Sequence, residues 1–395
     1  MKTVVVGAGI GGLAAALGLI RSGAQVEVYE RGDRLRTGGN GVILWPGATG
    51  ILSELGVDTK EFGKPMHRGE LLTQDGTLLV WTDMRQVGEA YGHDTLLVPR
   101  GGVVERLGAA LPEGTVRFGS HCTGVRPVPS GGALVSFADG SEVHADVVIG
   151  ADGFRSALRR TLHPGSVARY TGVATWHGIT PPPPGPLTAL ADSHTVRTYF
   201  GRLGIFVVHS VGDGLLHWAF EGPWRPPTAD DGTAEAPRTP QIPLLRRWFG
   251  DWDPAAAAVL DAVDEDDVHV FPHALHDVLR QWGRGPLTLM GDAAHAIPPR
   301  AGMGANQALE DAWVLSHALT DGRHDPEAAL RGYEAARVRR VRRVAGSARW
   351  MSRSNNMLLM LRLIRRAVPM NKLTHANVRG SSNYLNGHRF TPAGP

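Results

Sequence analysis

Three short stretches carry residues whose types and spacing could do chemistry. The first is Gly7-Ala-Gly9-Ile-Gly11-Gly12, with Glu30 roughly 20 residues further on, the interval of a dinucleotide fold. Glycines at 7, 9 and 12 permit a tight turn, let a pyrophosphate approach bare backbone, and let helix and strand pack closely. The acid would hold a ribose hydroxyl. Its negative charge disfavours a 2′-phosphate, so FAD or NAD fits this turn better than NADP. The second stretch is Gly150-Ala-Asp152-Gly153-Phe-Arg155-Ser156, an Asp-Gly turn ending an apolar run. The third is GDAAHAIPPRAGMGANQALED, Gly291 to Asp311. Its glycines allow close backbone approach, and the helix that follows offers unsatisfied N–H groups and a partial positive end. A flat polar ring that becomes anionic suits such a place.

The elements that must position these residues are legible. A strand, Thr3 to Val6, enters the first glycine turn and an apolar helix leaves it; a second strand, Gln25 to Tyr29, delivers Glu30. A buried strand over 145–149 delivers Asp152, and a short buried strand, Leu287 to Met290, delivers Asp292. From Asn306 the apolar positions Leu309, Ala312, Trp313, Leu315 and Leu319 recur at helical spacing.

Between these lie a helix over 47–55, a hairpin over 70–81 turning at Asp75-Gly76, and Leu96 to Arg100 leading into a helix over 103–111. Strands follow near Val116, over 133–137 and over 143–149. Residues 165–280 alternate at period two, with aromatics, which predicts an antiparallel sheet; Pro181 to Pro186 and Asp230 to Pro240 read as loops. Long helices run from Pro326. Met357 to Ile364 reads as a core or dimer helix, and the tail beyond Asn383 has no clear periodicity.

Composition narrows the class. The chain has 395 residues, 42% hydrophobic and 20% charged, enough for two domains with a sizeable core. A formal charge of +3 gives no electrostatic footprint for nucleic acid; the single basic run, Arg337 to Arg343, reads as a solvated helix face. One cysteine, Cys122, excludes an intrachain disulfide and a multi-Cys metal site. No signal peptide and no membrane span is visible, so the expectation is a soluble cytoplasmic protein, monomer or homodimer.

Taken together, the triple motif over Lys2 to about Ser352 resembles the class A, single-component FAD-dependent aromatic monooxygenases of the p-hydroxybenzoate and salicylate hydroxylase type. The resemblance implies an α/β fold: a Rossmann-like FAD-binding domain of the GR2 type, interrupted by an antiparallel-sheet substrate domain, with C-terminal helices. The implied division is 1–69, 92–164 and 281–325 for FAD, 70–91 and 165–280 for substrate, and 326–395 for the helices and tail. It implies FAD as cofactor, NADPH or NADH as co-substrate, and a small aromatic substrate oxidised with O2 through a flavin C4a-hydroperoxide.

Residue by residue, the resemblance places Gly7, Gly9 and Gly12 at the pyrophosphate and Glu30 at the adenosine ribose, followed by Arg31. Arg100 falls beside the ribityl–pyrophosphate region, and Asp152 and Gly153 in the turn associated with FAD and NAD(P)H. Asp292 falls at the ribityl or phosphate part, and Pro298, Gly302, Met303, Gly304 and Asn306 at the isoalloxazine. Met303 stands where relatives often have Gln. His177 stands on a strand position where relatives often carry arginine, and the strand 199–206 is mostly apolar, so the expected substrate is neutral or weakly acidic. His177 and Arg197 are the candidates for holding or deprotonating its hydroxyl.

Other readings attach to the same residues. A flavin-dependent halogenase would need a tunnel lysine, for which only Lys60 and Lys64 are placed, and Trp176-His-Gly-Ile-Thr-Pro181 is not that family's motif. Baeyer–Villiger insertion, epoxidation and oxidative decarboxylation share the same flavin chemistry, and a flavin-free escort protein on the same fold is the non-enzyme alternative. His269, His273 and His276 have spacings that could ligate zinc, but nothing nearby completes a ligand set, and no metal is expected.

Overall fold

The computed structural model describes residues 1–59, 63–129, 131–225, 240–322, 324–351, 359–360 and 362–363. Lys60, most of the 230–240 loop, much of the Met357–Ile364 stretch and the tail lie outside the described residues. Among the described residues, no helix is long and apolar enough to cross a membrane.

A five-stranded parallel sheet runs in the order Leu287–Leu289, Val147–Gly150, Lys2–Val6, Gln25–Tyr29, Val116–Arg117. Its strands are short, apolar and buried, the texture of a sheet covered on both faces. Val6 pairs with Gly150, and Gly150 with Leu289. Gly7, the 150–153 turn and Gly291 therefore leave three adjacent strands at the same carboxyl edge, where open α/β sheets bind ligands. Residues far apart in the chain become neighbours by register alone.

The apolar helix Ile10–Arg21 packs against helix Gly304–Asp321 through small residues. A Cβ at Gly18 would lie 2.8 Å from Ser316 Oγ, and one at Gly11 3.0 Å from Ala308 Cβ. That close approach ties the first motif to the third.

A seven-stranded sheet stands beside this unit, in the order His269–Leu275, Arg169–Thr180, Leu215–Pro223, Ile205–Gly212, Thr195–Phe200, Arg68–Thr73, Leu78–Asp83. It is antiparallel except where Thr195–Phe200 runs parallel to Arg68–Thr73, the first strand of the hairpin read at 70–81. One face is sealed by Trp176, Tyr199, Phe206, Trp218 and Phe220, packed with helices Pro186–Asp192, Ile242–Phe249 and Pro254–Ala262. Period-two reading did not anticipate these helices, which cover the apolar face; the other face packs at one end, through Val196 and Val207, against Met66, Leu97, Ile43 and Trp45.

Some boundaries differ from expectation. The strand Cys122–Pro127 was not foreseen, because its exposed positions are polar and prolines flank it. Gly291–His295 is a short helix rather than a loop, and the following helix begins at Gly304. Helix Pro326–Met351 closes the described fold, and its basic run is not one solvated face. Arg337 is wholly buried, while Arg339, Arg342 and Arg343 are exposed. Helical spacing puts Arg337 on the same stripe as Tyr333, Val341 and Val344, facing the carboxylates of Glu310 and Asp311.

Candidate active site

The first glycine turn is built by exclusion of side chains. Gly7 has φ 107°, and a Cβ there would stand 2.4 Å from the Ala151 carbonyl oxygen. A Cβ at Gly12 would stand 2.0 Å from the Gly7 carbonyl oxygen. At Gly9 a Cβ would meet nothing within 4 Å, so the middle of the turn faces open space. Glu30 is buried, and it accepts hydrogen bonds from Ala8 N–H and Gly32 N–H, each 2.9 Å. Its carboxylate is thus held at the turn with lone pairs to spare. Arg31 points to solvent.

The second turn holds Asp152, whose Oδ2 accepts from Ala157 N–H at 2.7 Å, with Gly153 at φ 79°. Its Oδ1 is buried with no hydrogen-bond partner among the described residues, and burial pushes the carboxyl up. Asp292 is solvent-accessible, yet surrounded by enough protein that desolvation raises its carboxyl against the pull of His295 and Arg100. Arg100, first residue of helix Arg100–Ala109, donates to the Arg36 carbonyl at 3.3 Å and lies close enough to feel the Asp292 charge. The two charges act on one another, so these residues lie in the same part of the fold.

The loop 297–304 divides its roles in a way the sequence did not show. Met303 is fully buried with Ile297, Val344 and Ala345, so only its backbone can line a site. Asn306 accepts from Trp45 N–H (2.8 Å) and donates to the carbonyls of Ile43 (2.8 Å) and Gly302 (2.7 Å). Its donors are all used in clamping the loop to the Ile43–Trp45 segment, a positioning role. No side chain caps helix Gly304–Asp321, and a Cβ at Gly304 would meet nothing within 4 Å. Its N-terminus is open, the electrostatic setting for an anionic ring edge.

Behind this wall lies a buried ionic network. Asp311 accepts from Gly291 N–H (2.8 Å), His295 Nε2 (2.6 Å) and Arg337 Nε (2.7 Å). Arg337 also donates to Glu310 (2.6 Å), which Arg340 holds as well. From the other side Arg159 donates to the carbonyls of Ala293 and Ala294, at 3.0 and 2.7 Å. The short helix bearing Asp292 is gripped at both ends.

The second face of the seven-stranded sheet carries Thr175, His177, His209, His217 and Glu221, as the register Thr175↔Glu221 and His209↔His217 requires, and all but Thr175 are buried. Arg197 is not among them. It is in register with Val208 of the sealed face, two residues before Tyr199, and pairs with Glu70 at 3.2 Å. His177 and Arg197 therefore project from opposite faces and cannot hold one ligand together, a correction to their joint candidacy. A one-residue offset is enough, because side chains alternate along a strand.

His177, His209 and His217 are neutral at physiological pH. Burial, with His269 adding, lowers His177 to about 4; burial likewise lowers His209 to about 4 and His217 well below its usual value. His209 Nδ1 donates to the Ser210 carbonyl (2.9 Å), leaving its Nε2 to accept from His217 Nδ1–H (3.1 Å). His177 Nδ1 is buried without a hydrogen-bond partner among the described residues. His273 (about 3) bonds Thr175 at 2.6 Å, and His276 (about 4) bonds the Phe154 carbonyl at 2.8 Å, so the 269–276 imidazoles take separate partners.

These five histidines, held below the unfolded value of about 6.5, make stability depend on pH, and His67 and His163 are lowered by burial in the same sense. Between pH 6.5 and 4 the unfolded chain binds protons that the native chain refuses. Stability is thus complete above pH 6.5 and lost as pH falls, at about 1.4 kcal/mol per pH unit per histidine. The raised carboxyls of Asp152, Glu221 and Asp292 act in the opposite sense, but are fewer. The thermal midpoint should be level from pH 7 to 8 and fall steeply toward pH 4.5; a level profile throughout would contradict the buried neutral imidazoles.

Sequence reading missed His209, His217, Glu221 and Arg300. The first three alternate with apolar residues in strands, a signal that was available. Lys64 donates to the Ala191 carbonyl at 2.8 Å, away from any tunnel role.

The residues fit FAD on structural grounds: bare backbone at Gly9, a fixed carboxylate at Glu30, the accessible carboxylate of Asp292, and an uncapped helix start at Gly304. Comparison with known proteins agrees. The family described as FAD binding domain matches residues 1–348. The chain is 34% identical over 348 residues to 3-amino-4-hydroxybenzoate 2-monooxygenase PtmB3 of Streptomyces platensis, covering 87% of this chain and 85% of that protein. It is 30% identical to 6-hydroxynicotinate 3-monooxygenase of Bordetella bronchiseptica, covering 90% and 93%. Among solved structures, Klebsiella pneumoniae HpxO complexed with FAD and uric acid superposes with a TM-score of 0.85 at 28% identity, over 98% of this chain and 96% of that one.

Proposed function

The chain belongs to the FAD-binding-domain family and is a class A FAD-dependent aromatic monooxygenase, and on that premise we propose that it hydroxylates an electron-rich, neutral aromatic or polyketide-like small molecule at the sheet face carrying His177 and Glu221. When bound, FAD reduced by NAD(P)H would supply the activation of O2, one atom of which goes to the substrate and the other to water, while the protein binds, orients and excludes bulk water. Gly7, Gly9 and Gly12 would admit the pyrophosphate, Glu30 a ribose, and Asp292 with Arg100 the ribityl–phosphate part. The open helix start at Gly304 would favour negative charge on the ring edge.

The observation that carries the neutral-substrate reading is the character of the sheet face beside the 297–304 loop. His177 and His217 there are uncharged, and Arg300, which reaches this face, is already paired with Glu221. His177, whose buried Nδ1 has no partner among the described residues, is suited to hydrogen-bond a substrate hydroxyl as a neutral imidazole. Two of the relatives are named for carboxylate-bearing rings, 3-amino-4-hydroxybenzoate and 6-hydroxynicotinate, so the choice is open to direct test.

The test is NAD(P)H oxidation by the yellow protein against matched pairs of phenols or indoles and their carboxylated counterparts, under labelled O2. Stimulation and label incorporation are expected with neutral members. Preference for the carboxylates would reject the neutral reading, and a colourless protein that refuses FAD would reject the whole assignment.

A further inference from the structure

Arg300 sits in the turn Pro299–Ala301, between Pro298 and Gly302, and crosses to the substrate-facing sheet. Its Nε and Nη2 both engage Oε1 of Glu221, and the two side chains are only 6% and 9% exposed. Glu221 is directly opposite Thr175 in the sheet, and Thr175 bonds His273. The Arg300 charge is felt there: after burial, it is the cause that holds His273 down. The pair thus lies at the seam between the 297–304 loop and the face carrying His177 and His217.

A buried guanidinium facing an aromatic site is the usual receptor for a carboxylate, because its planar fork matches both oxygens. Here the fork is already engaged by an internal carboxylate. Withdrawing one member of a buried pair leaves the other charge uncompensated, and an incoming anion relieves that cost. Discrimination of this kind works by denying a binding partner rather than by adding a contact.

We propose that Glu221 is a specificity-determining residue that closes the site to carboxylate-bearing aromatics by occupying Arg300. The inference rests on the substrate site lying at this sheet face, as argued above.

The experiment measures binding to the FAD-containing protein by calorimetry, with benzoate and 4-hydroxybenzoate as anionic probes and 4-methylphenol as the neutral one. In Glu221→Gln the guanidinium is released while the shape is kept. Affinity for both carboxylates should rise at least tenfold over the parent protein, with 4-methylphenol changing less than threefold. The double variant Glu221→Gln/Arg300→Gln should lose that gain. Should Glu221→Gln fail to fold, Glu221→Asp, whose carboxylate is withdrawn by one methylene, should give a smaller gain of the same sign. No gain in a folded variant, or a gain that survives removal of Arg300, overturns the proposal. Because benzoate binding needs no turnover, this outcome is separate from the hydroxylation reading: failure of every aromatic to stimulate NAD(P)H oxidation would reject that reading while the anion gain still stood.

Discussion

Gly12→Ala is expected to purify without FAD and with reduced thermal stability, whereas Gly9→Ala should fold normally and lose only the cofactor. The two glycines are three residues apart and do different work. A Cβ at Gly12 would sit 2.0 Å from the Gly7 carbonyl oxygen and 3.2 Å from Ala151 Cβ, both on the strand-turn framework. Backbone cannot yield as a long side chain does, so the turn and helix Ile10–Arg21 must separate, and packing against helix Gly304–Asp321 is lost with them. At Gly9 a methyl meets no protein atom within 4 Å. It would occupy only the approach of a phosphate to the backbone. We expect FAD affinity to fall at least 100-fold in Gly12→Ala, about 2.7 kcal/mol, and at least tenfold in Gly9→Ala. The apoprotein melting temperature should drop only in the first. Retention of parent-like FAD affinity by Gly9→Ala would place the pyrophosphate elsewhere.

The second large effect is structural. Arg337→Met should cost about 3–5 kcal/mol, the range for breaking a buried ion pair from one side. Arg337 is wholly buried and holds Asp311, also wholly buried, as well as Glu310. Burial alone would push both carboxyls up; for Asp311 His295 and Arg337, and for Glu310 Arg337 and Arg340, reverse the direction. Without the guanidinium, Asp311 keeps Gly291 N–H and His295 but loses a charge partner, and the turn that presents Asp292 loosens. A melting temperature several degrees lower and weaker FAD retention should therefore appear together. The exposed pair Arg126–Glu142, at 3.5 Å, serves as the contrast: Arg126→Met should cost less than about 1 kcal/mol. Comparable losses from the two substitutions would show that the network does not grip the site.

The sequence by itself determined the cofactor chemistry and the unit that carries it. Gly7 and Gly12 declare themselves because so tight a strand–turn–helix junction tolerates few residue types, and tight backbone geometry is a local requirement written in local residues. The same holds for Asp152-Gly153 and for Gly302 to Gly304. The hairpin at 70–81 was legible because an Asp-Gly turn between alternating apolar residues constrains itself.

Tertiary structure alone decided which residues share one face of the seven-stranded sheet. His177 and Arg197 look equivalent in the chain, and only the sheet register sends them to opposite sides. Arg300 sits in a stretch that could be quoted letter by letter, yet its partner Glu221 is 79 positions away, and nothing in either segment names the other. Arg337 reads as one more surface arginine until two helices pack and bury it against Asp311. Burial, pairing and net charge of a site are sums over segments that meet only on folding, so short-range pattern can specify the turns that bind a cofactor but not the electrostatic balance of the face beside it.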